Sequence, residues 1–138
     1  DPALLNFKVV EGNTDWPGSF PTILEVKFDF LNLLITHGDQ YHVGRGLEEL
    51  YELSLNKKIN IVLYGHTHIP KVDKINDIYF INPGSLHFPR GSYPMGTYAL
   101  LRTDKNKVWI SYYNSKHEHI MDWDQELVFN QEVFKEDD

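Results

Sequence analysis

Residues 31–39 read LNLLITHGD and residues 59–68 read INIVLYGHTH. Each starts as a nearly unbroken apolar run and ends where a histidine adjoins a glycine. Runs of this length, rich in Leu, Ile and Val, suit strands buried on both faces of a sheet. Between them Leu47, Leu50, Tyr51 and Leu55 recur at helical spacing from about Gly46 to Leu55, and Asn56 is a fitting stop. Leu31 to Tyr64 therefore reads as strand, helix, strand, a right-handed parallel crossover.

Strand candidates precede this unit at Phe7–Val10 and Ile23–Phe28. After it the pattern changes. Lys71–Ile75 and Ile78–Asn82 flank Asn76-Asp77, a tight hairpin signal. Thr97–Thr103 and Lys107–Asn114 flank a second turn, and Val108, Ile110 and Tyr112 alternate with Trp109, Ser111 and Tyr113 as a two-faced strand should. The acidic tail, 122–138, is expected to carry one short helix. The chain is read as one α/β domain, 1–138, with a mixed sheet: the parallel core first and the antiparallel hairpins last.

The length of 138 residues allows one real core, because a chain of that size buries about two-thirds of its unfolded surface. Hydrophobic residues at 41% and charged residues at 24% fit a globular protein. The absence of cysteine excludes a disulfide framework and thiolate metal sites, and it suits a reducing cytosol, so a cytoplasmic setting is expected. No run approaches the ~20 apolar residues of a membrane span. A formal charge of −7 argues against a broad nucleic-acid footprint, although cations bound to an acidic protein can still attract a phosphate. The hairpin-rich end offers an edge for a homo-oligomer, and nothing in the pattern decides it.

Polar residues gather in four loops, each following a strand candidate. The first holds Asn13 and Asp15 in EGNTD, the second His37 and Asp39 in THGD. The third holds His66 and His68 in GHTH, the fourth Asn82 and Ser85 in NPGS. Ligands of open α/β sheets bind beyond the carboxyl ends of the strands, where parallel neighbours would bring the first three loops together. Without a thiolate or a serine elbow, imidazole with amide and carboxylate oxygen suits a borderline divalent ion such as Mn²⁺, Fe²⁺, Ni²⁺ or Zn²⁺. Histidines at i and i+2 on an irregular loop can reach two ions about 3.5–4 Å apart. The glycines at 12, 38 and 65 would let the backbone turn and keep side chains off that pocket. Taken alone, His66 and His68 read as well as ordinary loop histidines. His42, His87, His117 and His119 are read as structural or solvent-facing.

The order GNTD, THGD, GHTH, NPGS resembles the calcineurin-like metallophosphoesterases, and most closely their small YfcE-type phosphodiesterases. The stretches VVEGNTD (9–15), LLITHGD (33–39), LYGHTHIP (63–70) and FINPGSLHFPRG (80–91) match the last four elements of the family pattern, across about Phe7 to Asn114. The resemblance implies an α/β/β/α sandwich with mixed sheets. It implies that Asn13, His37 and His66 ligate one metal ion and His68 a second, with Mn²⁺ first and Ni²⁺, Fe²⁺ or Zn²⁺ as alternatives. It makes His66, His68 and Asp15 the catalytic candidates, with Asp15 orienting a ligand histidine or its own loop. Arg90 is a weaker candidate for clamping phosphate, with a surface salt bridge as the plain alternative. The implied reaction is hydrolysis of a small phosphate ester by a metal-bridging hydroxide.

The sequence departs from the pattern in three places. The Asp-x-His and Gly-Asp elements that open it, with the bridging aspartate, are not in this sequence, so the fold's first βαβ portion is expected to be lacking. Asp39 stands where a histidine often follows Thr-His-Gly, and the reading leans towards a solvent-facing role for it over one near the metals. Thr14 stands where larger members carry a proton-donating histidine, so no leaving-group acid is identified, which favours esters with good leaving groups. The competing reading is a scaffold or metal-binding module without catalysis, a use of the fold known from the family's retromer subunit.

Overall fold

A computed structural model describes residues 8–130. The strands β1 (Ile23–Phe28) and β2 (Leu31–Thr36) lead through a 3₁₀ turn (Asp39–Tyr41) to α1 (Glu48–Leu55) and β3 (Ile61–Leu63). Next come β4 (Lys71–Ile75) and β5 (Ile78–Asn82), then β6 (Thr97–Asp104), β7 (Lys107–Asn114) and β8 (His119–Glu126). Five strands form one sheet in the order β1-β2-β3-β5-β4, and β6-β7-β8 form a second sheet. The expected crossover is present: β2 pairs parallel to β3, and β3 parallel to β5.

Strand alternation builds two cores from one set of strands. Leu33, Ile61 and Tyr79 stand in register on one face, and Leu34, Val62 and Phe80 in the next register row on the other. The first row packs against Val108, Ile110 and Tyr112 of the second sheet. The second row packs against Leu50 of α1, with Val43 and Tyr64. Leu34, Val62, Phe80 and Leu50 are fully buried, and burying each such side chain is worth about 1.5–3 kcal/mol. A run that is apolar at nearly every position is thereby explained: both faces are interior. Among the described residues the layers are helix, sheet, sheet, three of the four of the sandwich.

Turn chemistry sets the hairpins. Asn76 and Lys105 take the left-handed backbone at φ 53° and 55°, closing β4–β5 and β6–β7.

Two expectations need correction. Phe7 lies outside the described residues, and Lys8–Val10 do not form a strand, since no described neighbour offers them a ladder. The acidic tail does not begin with a helix: residues 119–126 are β8, paired antiparallel to β7 with an irregularity between Ile110 and Tyr112. The signal lay in Asp122, Asp124 and Glu126, which recur at every second residue, a strand period and not a helical one. Trp123 packs edge-on against Tyr112 at 5.5 Å, and Leu127 and Phe129 then close the core between the sheets. Residues 131–138 lie outside the description.

Candidate metal centre

Because β2, β3 and β5 run parallel, the loops that follow them leave the sheet at one end. His37, the pair His66 and His68, and the NPGS segment are brought together there by register alone. The His37 and His66 rings meet edge to face with centroids 5.1 Å apart. The Gly65 amide donates to the His37 carbonyl at 2.9 Å, locking the two loops to each other.

Two of the three histidines, His37 and His68, have a partner at Nδ1 that leaves Nε2 free. His37 Nδ1 lies 2.9 Å from Asp39 Oδ1, with both side chains about three-quarters covered at 24% and 25% exposure. Donation to that carboxylate leaves Nε2 as the lone-pair nitrogen, the arrangement that fixes tautomer and ring orientation in metal-ligating histidines. The leaning towards a solvent-facing Asp39 was therefore wrong. His68 donates Nδ1–H to the Phe88 carbonyl at 2.9 Å, which again leaves Nε2 free.

The backbone of GHTH is strained. His66 and His68 sit at φ 70° and 63°, where a side-chain-bearing residue pays of order 1–3 kcal/mol. Asn82, fully buried at the end of β5, supports that geometry. Its Nδ2 donates to the Gly65 carbonyl at 3.2 Å and to Thr67 Oγ1 at 2.9 Å, and its Oδ1 accepts from the Gly84 amide at 2.9 Å. Tyr112 of the second sheet donates its hydroxyl to the Asn82 carbonyl. The sequence reading singled out Asn82 only as a polar loop residue and missed Tyr112, which lies thirty positions further on in sequence and carries no local signal.

The glycine expectation holds in part. A Cβ on Gly12 would fall 3.0 Å from His37 Cδ2 and 3.3 Å from Nε2, so the GNTD loop approaches the imidazole through a glycine. Gly65 needs no such freedom, since a Cβ there meets only ordinary contacts at 3.8 Å. Gly38 takes the left-handed backbone at φ 100°, as expected, but in the GHTH loop the left-handed positions belong to His66 and His68.

The remaining candidates are placed less centrally. Asp15 accepts from the Gly12 amide at 2.8 Å, so of its two suggested roles it braces its own loop. Asn13, next to Gly12, is exposed. The Arg90 side chain is exposed while its amide donates to the His68 carbonyl at 3.1 Å. His42, His117 and His119 pair with Glu49, Tyr98 and Asp124 respectively, and His87 is exposed, as expected of histidines outside the site.

Beneath the loops lies a pair of buried tyrosines. Burial, and then the charge of Asp73, push the Tyr64 hydroxyl from 10.0 up to about 12. Tyr112 is pushed up chiefly by burial, with its bond to the Lys71 carbonyl opposing and Tyr64 adding.

The donors fit a borderline divalent ion in kind: imidazole nitrogens turned free by second partners. They are short in number. Among the described residues no three of His, Cys, Asp and Glu gather as a metal-holding group.

The family model of the calcineurin-like phosphoesterase superfamily domain matches residues 2–106. The chain belongs to this family. It is 28% identical over 121 residues to the probable metallophosphoesterase YsnB of Bacillus subtilis, covering 88% of this chain and 71% of that protein. It is 34% identical over 80 residues to the phosphodiesterase YfcE of Escherichia coli, covering 58% of this chain and 39% of YfcE. Among solved structures, a predicted phosphoesterase of Streptococcus pneumoniae superposes with TM-score 0.80 at 28% identity, covering 86% of this chain and 68% of that one. Vps29 of Entamoeba histolytica, solved with Zn²⁺, has TM-score 0.68 at 23% identity over 89% of this chain and 69% of its own, a likeness of fold. Metallophosphoesterases of this family use divalent metal ions, and no helix among the described residues is long and apolar enough to cross a membrane.

Proposed function

We propose that this chain carries part of a dinuclear metal site in a phosphodiesterase that hydrolyses a small phosphate ester. The observation that supports it most is the meeting of His37 and His66 at 5.1 Å, with His68 two residues on and its ring held by a backbone carbonyl. A scaffold requires neither the strained backbone of His66 and His68 nor the Nδ1 bonds that leave Nε2 of His37 and His68 free. The YfcE name adds a phosphodiesterase among the relatives.

In this reading His37 and His66, with Asn13, hold one ion, and His68 holds the second, with Mn²⁺ first among the candidates. Divalent ions there would lower the pKa of water and offset charge building on the phosphoryl oxygens. Asp39 keeps the His37 ring in place, and Asp15 shapes the loop that carries Asn13. Arg90, on the exposed loop after β5, is the candidate for meeting a phosphate oxygen. With Thr14 beside Asn13, no side chain here protonates the departing oxygen, so the reading favours esters whose alcohols leave readily. A cytoplasmic setting accords with the cysteine-free sequence.

One observation favours a second reading, a non-catalytic module on the same fold: the described residues gather no three-membered His, Cys, Asp or Glu set. Turnover decides between the two. The full-length protein should hydrolyse bis-p-nitrophenyl phosphate with Mn²⁺ and stop when the metal is chelated. A metal-replete protein that binds but never turns over supports the module.

A further inference from the structure

The loop after β5 presents an aromatic ring beside the candidate site. Phe88 is 71% exposed, and Leu86 and Ile69, on the same pair of loops, are 49% and 41% exposed. Large apolar side chains grouped on a surface mark binding sites more often than chance. This loop is not slack. The Phe88 amide donates to Ser85 Oγ at 3.1 Å, and the Thr97 amide donates to the Ser85 carbonyl at 3.1 Å. The Arg90 amide donates to the His68 carbonyl at 3.1 Å, and His68 Nδ1 donates to the Phe88 carbonyl at 2.9 Å. A Cβ on Gly96 would fall 2.1 Å from the Leu86 carbonyl oxygen, so the loop lies directly on the strand entry behind it. The exposed ring is therefore held out by a fixed backbone.

Its orientation relates it to the site. The Phe88 ring lies 29° from the plane of the His68 imidazole, with centroids 6.4 Å apart. The Phe88 ring therefore flanks the His68 imidazole. Pairs of aromatic rings in offset or edge-on contact gain free energy beyond the area they bury, which a small alkyl group does not.

We propose that Phe88, with Leu86 and Ile69, is a ledge that binds the aromatic group of an aryl phosphate ester whose phosphate lies at His66 and His68. The inference rests on the phosphoesterase reading above and names its substrate class. It also accords with the missing leaving-group acid, since an aryloxide departs without a proton donor.

The test uses the full-length protein with Mn²⁺ and compares the affinities of phenyl phosphate and methyl phosphate by calorimetric titration. The wild type should bind phenyl phosphate about fivefold more tightly than methyl phosphate. That ratio should fall to about one in Phe88→Ala and survive in Phe88→Tyr, with Leu100→Ala on the far sheet as a control. In Phe88→Ala the KM for the aryl diester should rise with little change in kcat, as for loss of uniform binding. A ratio of one in the wild type, or an unchanged ratio in Phe88→Ala, overturns the ledge while turnover leaves the phosphoesterase reading standing. No turnover of the diester together with no binding of either monoester overturns both.

Discussion

Asp39 accepts from His37 Nδ1 at 2.9 Å, two residues along one loop, and so leaves Nε2 free on a ring that meets His66 with centroids 5.1 Å apart. If that bond orients a metal ligand, Asp39→Ala should weaken Mn²⁺ binding by about 10–100-fold. Asp39→Asn, which keeps an acceptor but loses the charge, should fall between. Calorimetric titration of the full-length protein gives the order wild type, Asn, Ala. Equal affinities in all three would remove Asp39 from the site.

Gly12 supplies a narrower probe of the same imidazole. A methyl group there must displace the His37 ring by a few tenths of an ångström, since Cβ would sit 3.0 Å from Cδ2. Gly12→Ala should therefore weaken Mn²⁺ binding while leaving the thermal midpoint near its wild-type value. A large loss of stability with unchanged metal affinity would show that Gly12 serves the loop and not the histidine.

Asn82 holds the strained GHTH backbone through bonds to Gly65, Thr67 and Gly84. Asn82→Ala leaves buried donors and acceptors unpaired, at a cost of about 2 kcal/mol or more. Tm should drop by roughly 5–10 °C. In ¹H–¹⁵N spectra the His66 and His68 amides should move most, while those of β6 and β7 stay in place. Asn82→Asp keeps the acceptor for Gly84 but not the donors, and should be similarly destabilised.

The tyrosines predict the alkaline limit of the fold. Tyr64 keeps its proton up to about pH 12 in the folded chain, while the unfolded chain releases it near 10.0. Between those values the unfolded state binds fewer protons, so stability falls as pH rises, and below that window the group contributes no slope. Tyr112, also pushed upward, acts with the same sign. Urea midpoints should be flat up to about pH 9 and decline beyond about pH 10. Tyr64→Phe should lessen the decline.

The parts of the fold legible in the sequence were those written in local period. Leu31–Thr36 and Ile78–Asn82 read as strands because their apolar residues divide between two cores, and the Asn76-Asp77 turn followed from its residue types. The four motif loops were legible because each follows such a strand, and parallel register then carried His37 and His66 together. The rest depended on distant partners. Asp39 was misread because an aspartate on a loop is usually solvated, and its bond to His37 exists only in the folded turn around Gly38. Tyr112 supports Asn82 from another sheet, which no spacing within either segment announces. β8 was missed because its acidic residues drew attention away from their period of two.

His66 carries the central claim, since it joins His37 in the candidate centre and has no other evident task. The decisive measurement is hydrolysis of bis-p-nitrophenyl phosphate by full-length wild type and His66→Ala, each with saturating Mn²⁺ and each shown to be folded. The account predicts steady turnover by the wild type and a loss of at least about 100-fold in the variant. Equal turnover by the two would contradict the assignment of His66 as a metal ligand, and with it the site described for this chain.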